Sequence, residues 1–245
     1  MLIGILQTGA APDDLRWNLG DYPAMFEKLL DGQGFTFRTW NVELMDFPAD
    51  VADADGWLIT GSRHGAYEDH RFITPLESFI REAYDQDVPV VGICFGHQII
   101  AQAMGGKVEK FGRGWSIGAT DYDLQGEKVT LNAWHQDQVT RIPEGARVVG
   151  HSGFCENAAL LYDERMFSLQ AHPEFQPDFI EGLMRTRGEG IVPDDLMATA
   201  RARLSDPLSN ESVACQIGDF FHAGAKRRRV QMKRRPAKYH EAHRG

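Results

Sequence analysis

The stretch VPVVGICFGHQIIAQAMGG, residues 88–106, changes at Cys94 from a continuous apolar run to a helical pattern. Gly92 and Gly96 lie two residues before and after this cysteine, where small residues relieve the crowding of a sharp strand-to-helix turn, the nucleophile elbow. The turn places Cys94 at a helix N-terminus, where unpaired N–H groups and the helix dipole favour thiolate over thiol. The alternative is a buried cysteine at the end of a strand, with glycines that serve only packing.

The residues before this stretch alternate between strand and helix patterns. Strands are predicted at residues 2–7, 35–42, 56–60 and 88–94, and helices at 22–30 and 75–84. The apolar runs are nearly continuous in three of the four strands, which is typical of strands covered on both faces. Such alternation predicts right-handed crossovers and an α/β fold. We therefore expect three layers, with a mostly parallel central sheet and helices on both faces.

The pattern changes after Gly106. Short strand candidates such as KVEKF, KVTLNAW, ARVVGHS and MFSLQAH are divided by turns rather than by long helices. This predicts an antiparallel or mixed edge, followed by a return to the central sheet. From Asp178 onwards the pattern is helical again, and these helices are expected to pack around the rim of the sheet.

Charge divides the 245-residue chain into two parts. The last twenty residues, 226–245, contain nine Lys or Arg and one acid, whereas residues 1–225 hold 17 basic and 34 acidic residues. We therefore predict one domain, 1–225, which includes the C-terminal helices, and a basic, flexible tail, 226–245. The acidic body repels nucleic acid, so nucleic-acid binding is expected only through the tail, if at all.

Three cysteines, Cys94, Cys155 and Cys215, are too few and too scattered for a disulfide framework, and none forms a CxxC pair. No run approaches the roughly 18 apolar residues of a membrane span, and the N-terminus lacks the features of a signal peptide. We therefore expect a cytoplasmic protein with no membrane partner, no metal site and no cofactor. Any special role of a cysteine belongs to a single thiol.

A thiolate that attacks an acyl group needs an imidazole to move protons and an acceptor to orient that imidazole. In SLQAHPEF, residues 168–175, His172 ends an apolar strand and is expected at the same carboxyl-terminal edge of the sheet as Cys94. Glu174 follows two residues later, so both side chains can point the same way. The alternative is a surface histidine before a turn proline.

Four motifs in this order resemble those of class I glutamine amidotransferases, nearest to the glutaminase half of GMP synthetase. The G-x-C-x-G-x-Q pattern of that family is matched by Gly92, Cys94, Gly96 and Gln98, and its H-P-E pattern by residues 172–174. The stretch ITGSRHGAYED, 59–69, resembles the family's oxyanion loop, and AWHQDQV, 133–139, resembles its S-H-x-D-x-V segment. The resemblance implies a flavodoxin-like fold.

The resemblance also implies a mechanism and a set of site residues. Cys94 would attack the side-chain amide of glutamine to form a γ-glutamyl thioester, His172 would move protons, and Glu174 would orient His172. The oxyanion hole would be formed by Phe95 with Gly61 or Ser62. The substrate contacts would come from Gln98, His135 and Asp137. His135 and Asp137 either hold the glutamyl group or are loop residues.

Two departures from the family pattern leave the reaction open. Arg63 and His64 replace a rigid proline in the oxyanion loop, and Trp134 replaces a serine beside His135. No nucleotide-binding loop of the G-K-[ST] or S-G-G-x-D-S type occurs in the 245 residues. The sequence therefore allows a glutaminase that serves a separate ammonia-accepting synthetase subunit, or a standalone γ-glutamyl hydrolase or peptidase. A non-catalytic binding subunit is the third possibility.

Overall fold

Five parallel strands form one half of a nine-stranded sheet, and antiparallel strands form the other half. The computed structural model of the chain describes residues 1–234, and the strand order in its main sheet is β2-β1-β3-β4-β11-β10-β9-β6-β7. Strands β2, β1, β3, β4 and β11 are mutually parallel, and the strands beyond β11 pair antiparallel. A separate two-stranded sheet joins β5 and β8.

The strands are β1 (Leu2–Gln7), β2 (Thr36–Asn41), β3 (Gly56–Ile59), β4 (Val90–Ile93), β5 (Lys107–Lys110), β6 (Ser116–Leu124), β7 (Glu127–His135), β8 (Asp137–Arg141), β9 (Ala146–His151), β10 (Ala159–Tyr162) and β11 (Met166–Leu169). The helices are α1 (Asp13–Leu19), α2 (Tyr22–Leu29), α3 (Ile73–Asp85), α4 (Phe95–Ala103), α5 (Pro177–Leu183), α6 (Asp194–Ala202) and α7 (Asn210–Arg234). A π-helical turn, Met184–Gly188, extends α5.

Helices cover both faces of the parallel half, so the predicted three-layer α/β fold is confirmed. Trp57 and Ile59 of β3 point into a core shared with α3 and α4, whereas Leu58 points into the opposite core, shared with α2 and α7. This alternation follows from the two-residue period of a strand. Because both faces are buried, β3 and β4 consist entirely of buried residues.

The mixed edge predicted after Gly106 is also present, but it contains more strands than were predicted. β6 pairs with β7 over nine residues. Three strands of this region, β6, β8 and β10, were not among the predicted strands. The π-helical turn after α5 was not predicted either. It and α6 form, with α1 and α5, a third apolar cluster beside the carboxyl-terminal edge of the sheet.

The last described helix enters the basic segment. α7 runs to Arg234, so residues 226–234 of the basic segment are helical. The remaining residues of that predicted tail, 235–245, lie outside the described residues. No helix in the described part of the chain combines the length and apolar character that a membrane span requires.

Candidate active site

Cys94 lies at a strained turn between β4 and α4. Its φ of 53° and ψ of −101° place a non-glycine residue in a region that L-amino acids rarely adopt. A Cβ on Gly96 would lie 2.3 Å from the Ile59 carbonyl oxygen, and one on Gly92 would lie 2.4 Å from the Gly96 oxygen. Both glycines are therefore required by backbone contacts, as expected for a nucleophile elbow.

The parallel pairing of β4 with β11 brings the HPE segment beside this elbow. Ile93 pairs with Leu169, and the Cys94 N–H donates to the Leu169 carbonyl at 2.8 Å. Three residues further along, the His172 N–H donates to the Asn132 carbonyl of β7 at 2.8 Å. The structure therefore brings Cys94 and His172 to the same carboxyl-terminal edge of the sheet.

His172 is held on several sides. Its Nδ1 lies 2.7 Å from Oε1 of Glu174, and both side chains are buried. Its ring stacks on Phe175 with a centroid distance of 3.9 Å and an interplanar angle of 5°. The Phe175 carbonyl accepts hydrogen bonds from the side-chain amides of Asn132, at 3.0 Å, and Asn210, at 3.2 Å. The turn that carries His172 is thus fixed from β7 and α7.

The charges around His172 favour its protonated form. Burial alone lowers the pKa of His172. The negative charges of Glu174 and of the Cys94 thiolate act in the opposite direction, as do the hydrogen bonds of His172 with both groups, and the net result is a pKa raised to about 10. At neutral pH the imidazole is therefore positively charged between Glu174 and Cys94. This arrangement suits an imidazolium–thiolate pair.

A further side chain, missed in the sequence, contacts the thiol. The Gln170 amide nitrogen donates to Cys94 Sγ at 3.5 Å, and its Oε1 accepts from Nε2 of Gln98 at 3.1 Å. Gln170 is completely buried. It directly follows β11, two residues before His172, so the alternation of a strand places its side chain and that of His172 on the same side of the chain.

The glycine loop lies against this group. A Cβ on Gly61 would lie 3.1 Å from Cε1 of His172 and 3.8 Å from Cβ of Cys94. Within residues 1–234, the N–H groups of Gly61, Ser62 and Phe95 donate to no protein acceptor. These donors are therefore available to a negatively charged oxygen near Cys94.

The three predicted substrate contacts lie together on one side of the cavity. Gln98 uses its amide nitrogen within the protein, donating to the Asp137 carbonyl at 3.0 Å as well as to Gln170. His135 Nδ1 lies 3.2 Å from that same Asp137 carbonyl. Burial, and then the positive charge of His172, lowers the pKa of His135 to about 3, so this ring is neutral. Burial raises the pKa of the Asp137 carboxyl group.

The cavity beside Cys94 has a volume of about 490 Å³. Polar groups of the glycine loop and of residues 135–137 line part of it. Apolar and aromatic residues line another part, the aromatic wall, and the main ones are Trp115, Trp134, Phe175, Leu183 and Ile191. The π-helical turn also brings Arg187 to the cavity. The sequence predicted helices in the segments of the π-helical turn and α6 but not that they pack beside the cavity, because that placement depends on contacts between distant parts of the chain.

The chain matches the family described as Glutamine amidotransferase class-I over residues 33–181, well over half of its length. It is 29% identical to gamma-glutamyl peptidase 4 of Arabidopsis thaliana over 80% of this chain and 85% of that protein. It is also 29% identical to a glutamine-hydrolyzing GMP synthase component of Methanopyrus kandleri, over 70% of this chain and 96% of that protein.

Solved structures agree on the fold. A glutamine amido transferase from Methylobacillus flagellatus superposes with a TM-score of 0.72 at 23% identity, covering 93% of this chain and 94% of that one. The family match and this similarity confirm both the fold and the family that the four motifs indicated. The chain belongs to the class I glutamine amidotransferase family.

Proposed function

We propose that this chain hydrolyses a γ-glutamyl amide bond through a γ-glutamyl thioester on Cys94. The single observation that carries the proposal is the arrangement of the Cys94 thiol, the His172 imidazole and the Glu174 carboxylate at one edge of the sheet, with a 2.7 Å His172–Glu174 contact. The family membership and the relatives named as gamma-glutamyl peptidase and GMP synthase support the same reaction class.

In the first half of the reaction, the Cys94 thiolate attacks the γ-carbonyl carbon, and the carbonyl oxygen becomes negatively charged. The free N–H groups of Phe95 and of Gly61 or Ser62 stabilise this oxygen. When the carbon–nitrogen bond breaks, the His172 imidazolium transfers its proton to the departing nitrogen. The products of this step are a free amine, or ammonia from glutamine, and a thioester.

In the second half, neutral His172 takes a proton from water, and the resulting hydroxide attacks the thioester carbon. The carbon–sulfur bond then breaks, glutamate leaves, and the imidazolium–thiolate pair is restored. Glu174 orients the imidazole and stabilises its positive charge in both halves. Gln98, His135 and Asp137 line the side of the cavity that we assign to the glutamyl group.

The cavity favours a leaving group larger than ammonia. Its aromatic wall, with Trp115 and Trp134 rings 6.2 Å apart, offers apolar surface that ammonia does not need. Arg187 lines the cavity, donates from Nη2 to the Ala10 carbonyl at 3.4 Å and forms no ion pair within the described residues, so its other N–H groups are available for a substrate carboxylate. We therefore favour the standalone γ-glutamyl hydrolase or peptidase over a glutaminase that supplies ammonia to a separate synthetase subunit.

We further propose that the protein acts in the cytoplasm. A thiolate nucleophile must stay reduced, and Cys94, Cys155 and Cys215 are all free thiols. The division into a domain of residues 1–225 and a basic terminal segment remains a proposal too. A nucleic acid would contact only that segment.

The test compares Cys94→Ala with Cys155→Ala. Glutamate release from a panel of γ-glutamyl compounds should fall more than about 1,000-fold in Cys94→Ala. Cys155 is a matched buried thiol, and burial raises its pKa to about 12, so its replacement should leave turnover within a few-fold. Circular dichroism should show that both variants are folded. Undiminished turnover in folded Cys94→Ala would refute the catalytic proposal and favour a non-catalytic binding protein.

A second measurement distinguishes hydrolysis of a γ-glutamyl peptide from hydrolysis of glutamine. We expect kcat/KM for γ-glutamyl-phenylalanine to exceed that for glutamine, and Trp134→Ala to reduce only the former. Turnover of glutamine alone, stimulated by a partner protein, would instead support the amidotransferase reaction.

A further inference from the structure

A group of metal-ligating side chains lies in the loop that follows the predicted oxyanion donors. His64, Glu68 and His70 each offer one ligand atom, and these atoms all lie within 4.8 Å of one another. Glu43, from the turn after β2, brings its Oε1 to 2.8 Å from Nε2 of His64. Two imidazoles and one carboxylate of the loop therefore converge, and the Glu43 carboxylate from a separate segment contacts one of the imidazoles.

These groups are paired in a way that a cation can replace. Besides the His64–Glu43 contact, His70 Nε2 lies 2.8 Å from Oε2 of Glu68. The two imidazole rings are only 4.1 Å apart between centroids. In each pair an imidazole nitrogen contacts a carboxylate oxygen. A divalent cation that binds such a nitrogen leaves the neutral ring with its proton on the other nitrogen, so the cation replaces the hydrogen bond. A tetrahedral ion with bonds of about 2.1 Å needs ligand atoms about 3.4 Å apart. The ligand atoms of His64, Glu68 and His70 already lie within 4.8 Å of one another, so small side-chain rotations bring these three to that spacing.

The surroundings support the imidazoles. The buried Phe72 ring lies 5.8 Å from the His64 ring and 5.9 Å from the His70 ring, and it stacks on the latter. The backbone N–H of His64 donates to Ser62 Oγ at 3.1 Å, which shapes the start of the loop. An apolar shell beside a metal site limits solvent access and lowers the local dielectric.

We propose that His64, Glu68 and His70 bind a divalent transition-metal ion, for which zinc is the best fit, with Glu43 held beside the site by its contact with His64. Imidazole ligands favour zinc, nickel and copper over magnesium and calcium, which prefer all-oxygen sites. The sequence predicted no metal site because it contains no CxxC pair, and the approach of Glu43 to the loop depends on the fold. His64 and Glu68 also line the cavity beside Cys94, so the ion lies at its mouth.

Calorimetry with zinc chloride tests the proposal. The protein is the untagged full chain carrying Cys94→Ala, because a thiolate beside His172 can itself bind zinc. It also carries His240→Ala and His243→Ala, since these two histidines lie outside the described residues and could add a site. We expect one zinc ion per chain with micromolar affinity or better, and no measurable binding of magnesium.

Single substitutions in this background locate the site. His70→Ala and Glu68→Gln should each weaken zinc binding by roughly 100-fold. Asp69→Ala, which removes an exposed acid from the same loop, should leave the affinity unchanged. Bound zinc should slow hydrogen exchange of the amides in residues 62–70. Absence of zinc binding in the background protein, or binding that survives combined His64→Ala and His70→Ala, would overturn the proposal.

Discussion

At the scale of single residues, Cys94 illustrates how the fold directs a thiol. Its backbone conformation costs on the order of 1–3 kcal/mol. The hydrogen bond from its N–H to Leu169 and the close packing of Gly92 and Gly96 hold it there. The strain turns the side chain away from the sheet and towards His172, at the N-terminus of α4.

Gln170 provides a prediction about the thiol. Its amide donates to Cys94 Sγ, and hydrogen bonds to charged groups contribute about 1.5–3 kcal/mol. Gln170→Met, which keeps the volume and removes the donor, should lower kcat/KM for γ-glutamyl substrates by roughly tenfold or more. It should also shift the pH profile of Cys94 alkylation by iodoacetamide to higher pH.

The matched control is Gln138→Met. Gln138 is another buried glutamine, whose amide donates to the Phe154 carbonyl at 3.3 Å rather than to a thiol. It should leave the alkylation profile in place. An unshifted profile in Gln170→Met would show that Gln170 is only a packing residue.

Glu174 sets the basic limit of the pH profile. The active form requires protonated His172, and activity is therefore lost as pH rises through the raised pKa of this histidine, about 10. Glu174→Gln removes the negative charge that raises the pKa, so the basic limb should move to lower pH, and kcat/KM should fall by roughly 100-fold or more. The control is Glu181→Gln, which removes the charge of an exposed residue on α5. It should change neither the basic limb nor kcat/KM. A basic limb that stays in place would contradict the assigned role.

At the scale of elements, the elbow depends on the close approach of α4 to β3. An added methyl group on Gly96 meets the Ile59 carbonyl oxygen at 2.3 Å, and a backbone atom cannot move aside as a flexible side chain can. Gly96→Ala should lower the free energy of unfolding by at least about 2 kcal/mol, measured by urea denaturation. Gly112→Ala, where nothing lies within 4 Å, should change it by less than about 0.5 kcal/mol. Equal stabilities would mean that the elbow tolerates a side chain.

The parallel half of the sheet could be predicted from sequence, whereas the mixed edge could only partly be. β1 and β3 are short apolar runs bounded by turn residues, and their predicted positions agree closely with the structure. β6 contains a glycine, Gly118, and the polar residues Thr120, Asp121 and Asp123, so its sequence lacks the apolar pattern that predicts a strand. Its pairing with β7 is decided by tertiary contacts, which a local pattern does not contain.

The candidate site shows the same division. Cys94, His172 and Glu174 stand in short motifs next to predicted strand ends, and the structure brings all three together. Gln170 and Arg187 have no such motif. Their position depends on a strand register and on a π-helical turn, both of which follow from packing of distant segments.

At the scale of the whole molecule, the acidic body buries two neutral histidines, His135 in the lining of the cavity and His97 on α4. Burial lowers the pKa of His97 to about 3, and His97 Nδ1 lies 2.8 Å from Ser168 Oγ. The pKa of His135 is lowered to about 3 as well. As pH falls, each ring therefore gains a proton near its ordinary pKa of 6.5 in the unfolded chain, but only near pH 3 in the folded chain.

The fold should consequently lose stability as pH falls from about 6.5 to 3. Between these values the unfolded state carries about two more protons than the folded state, and each contributes a slope of about 1.4 kcal/mol per pH unit. His97→Gln, which keeps a polar side chain near Ser168, removes one of these protons and should reduce the slope of unfolding free energy against pH, measured by urea denaturation at several pH values. His151→Gln, at an exposed position of β9, should retain the full slope. If His97→Gln and the unmodified chain lose stability in parallel on acidification, then His97 is protonated in the folded state, and the buried pair does not govern acid unfolding.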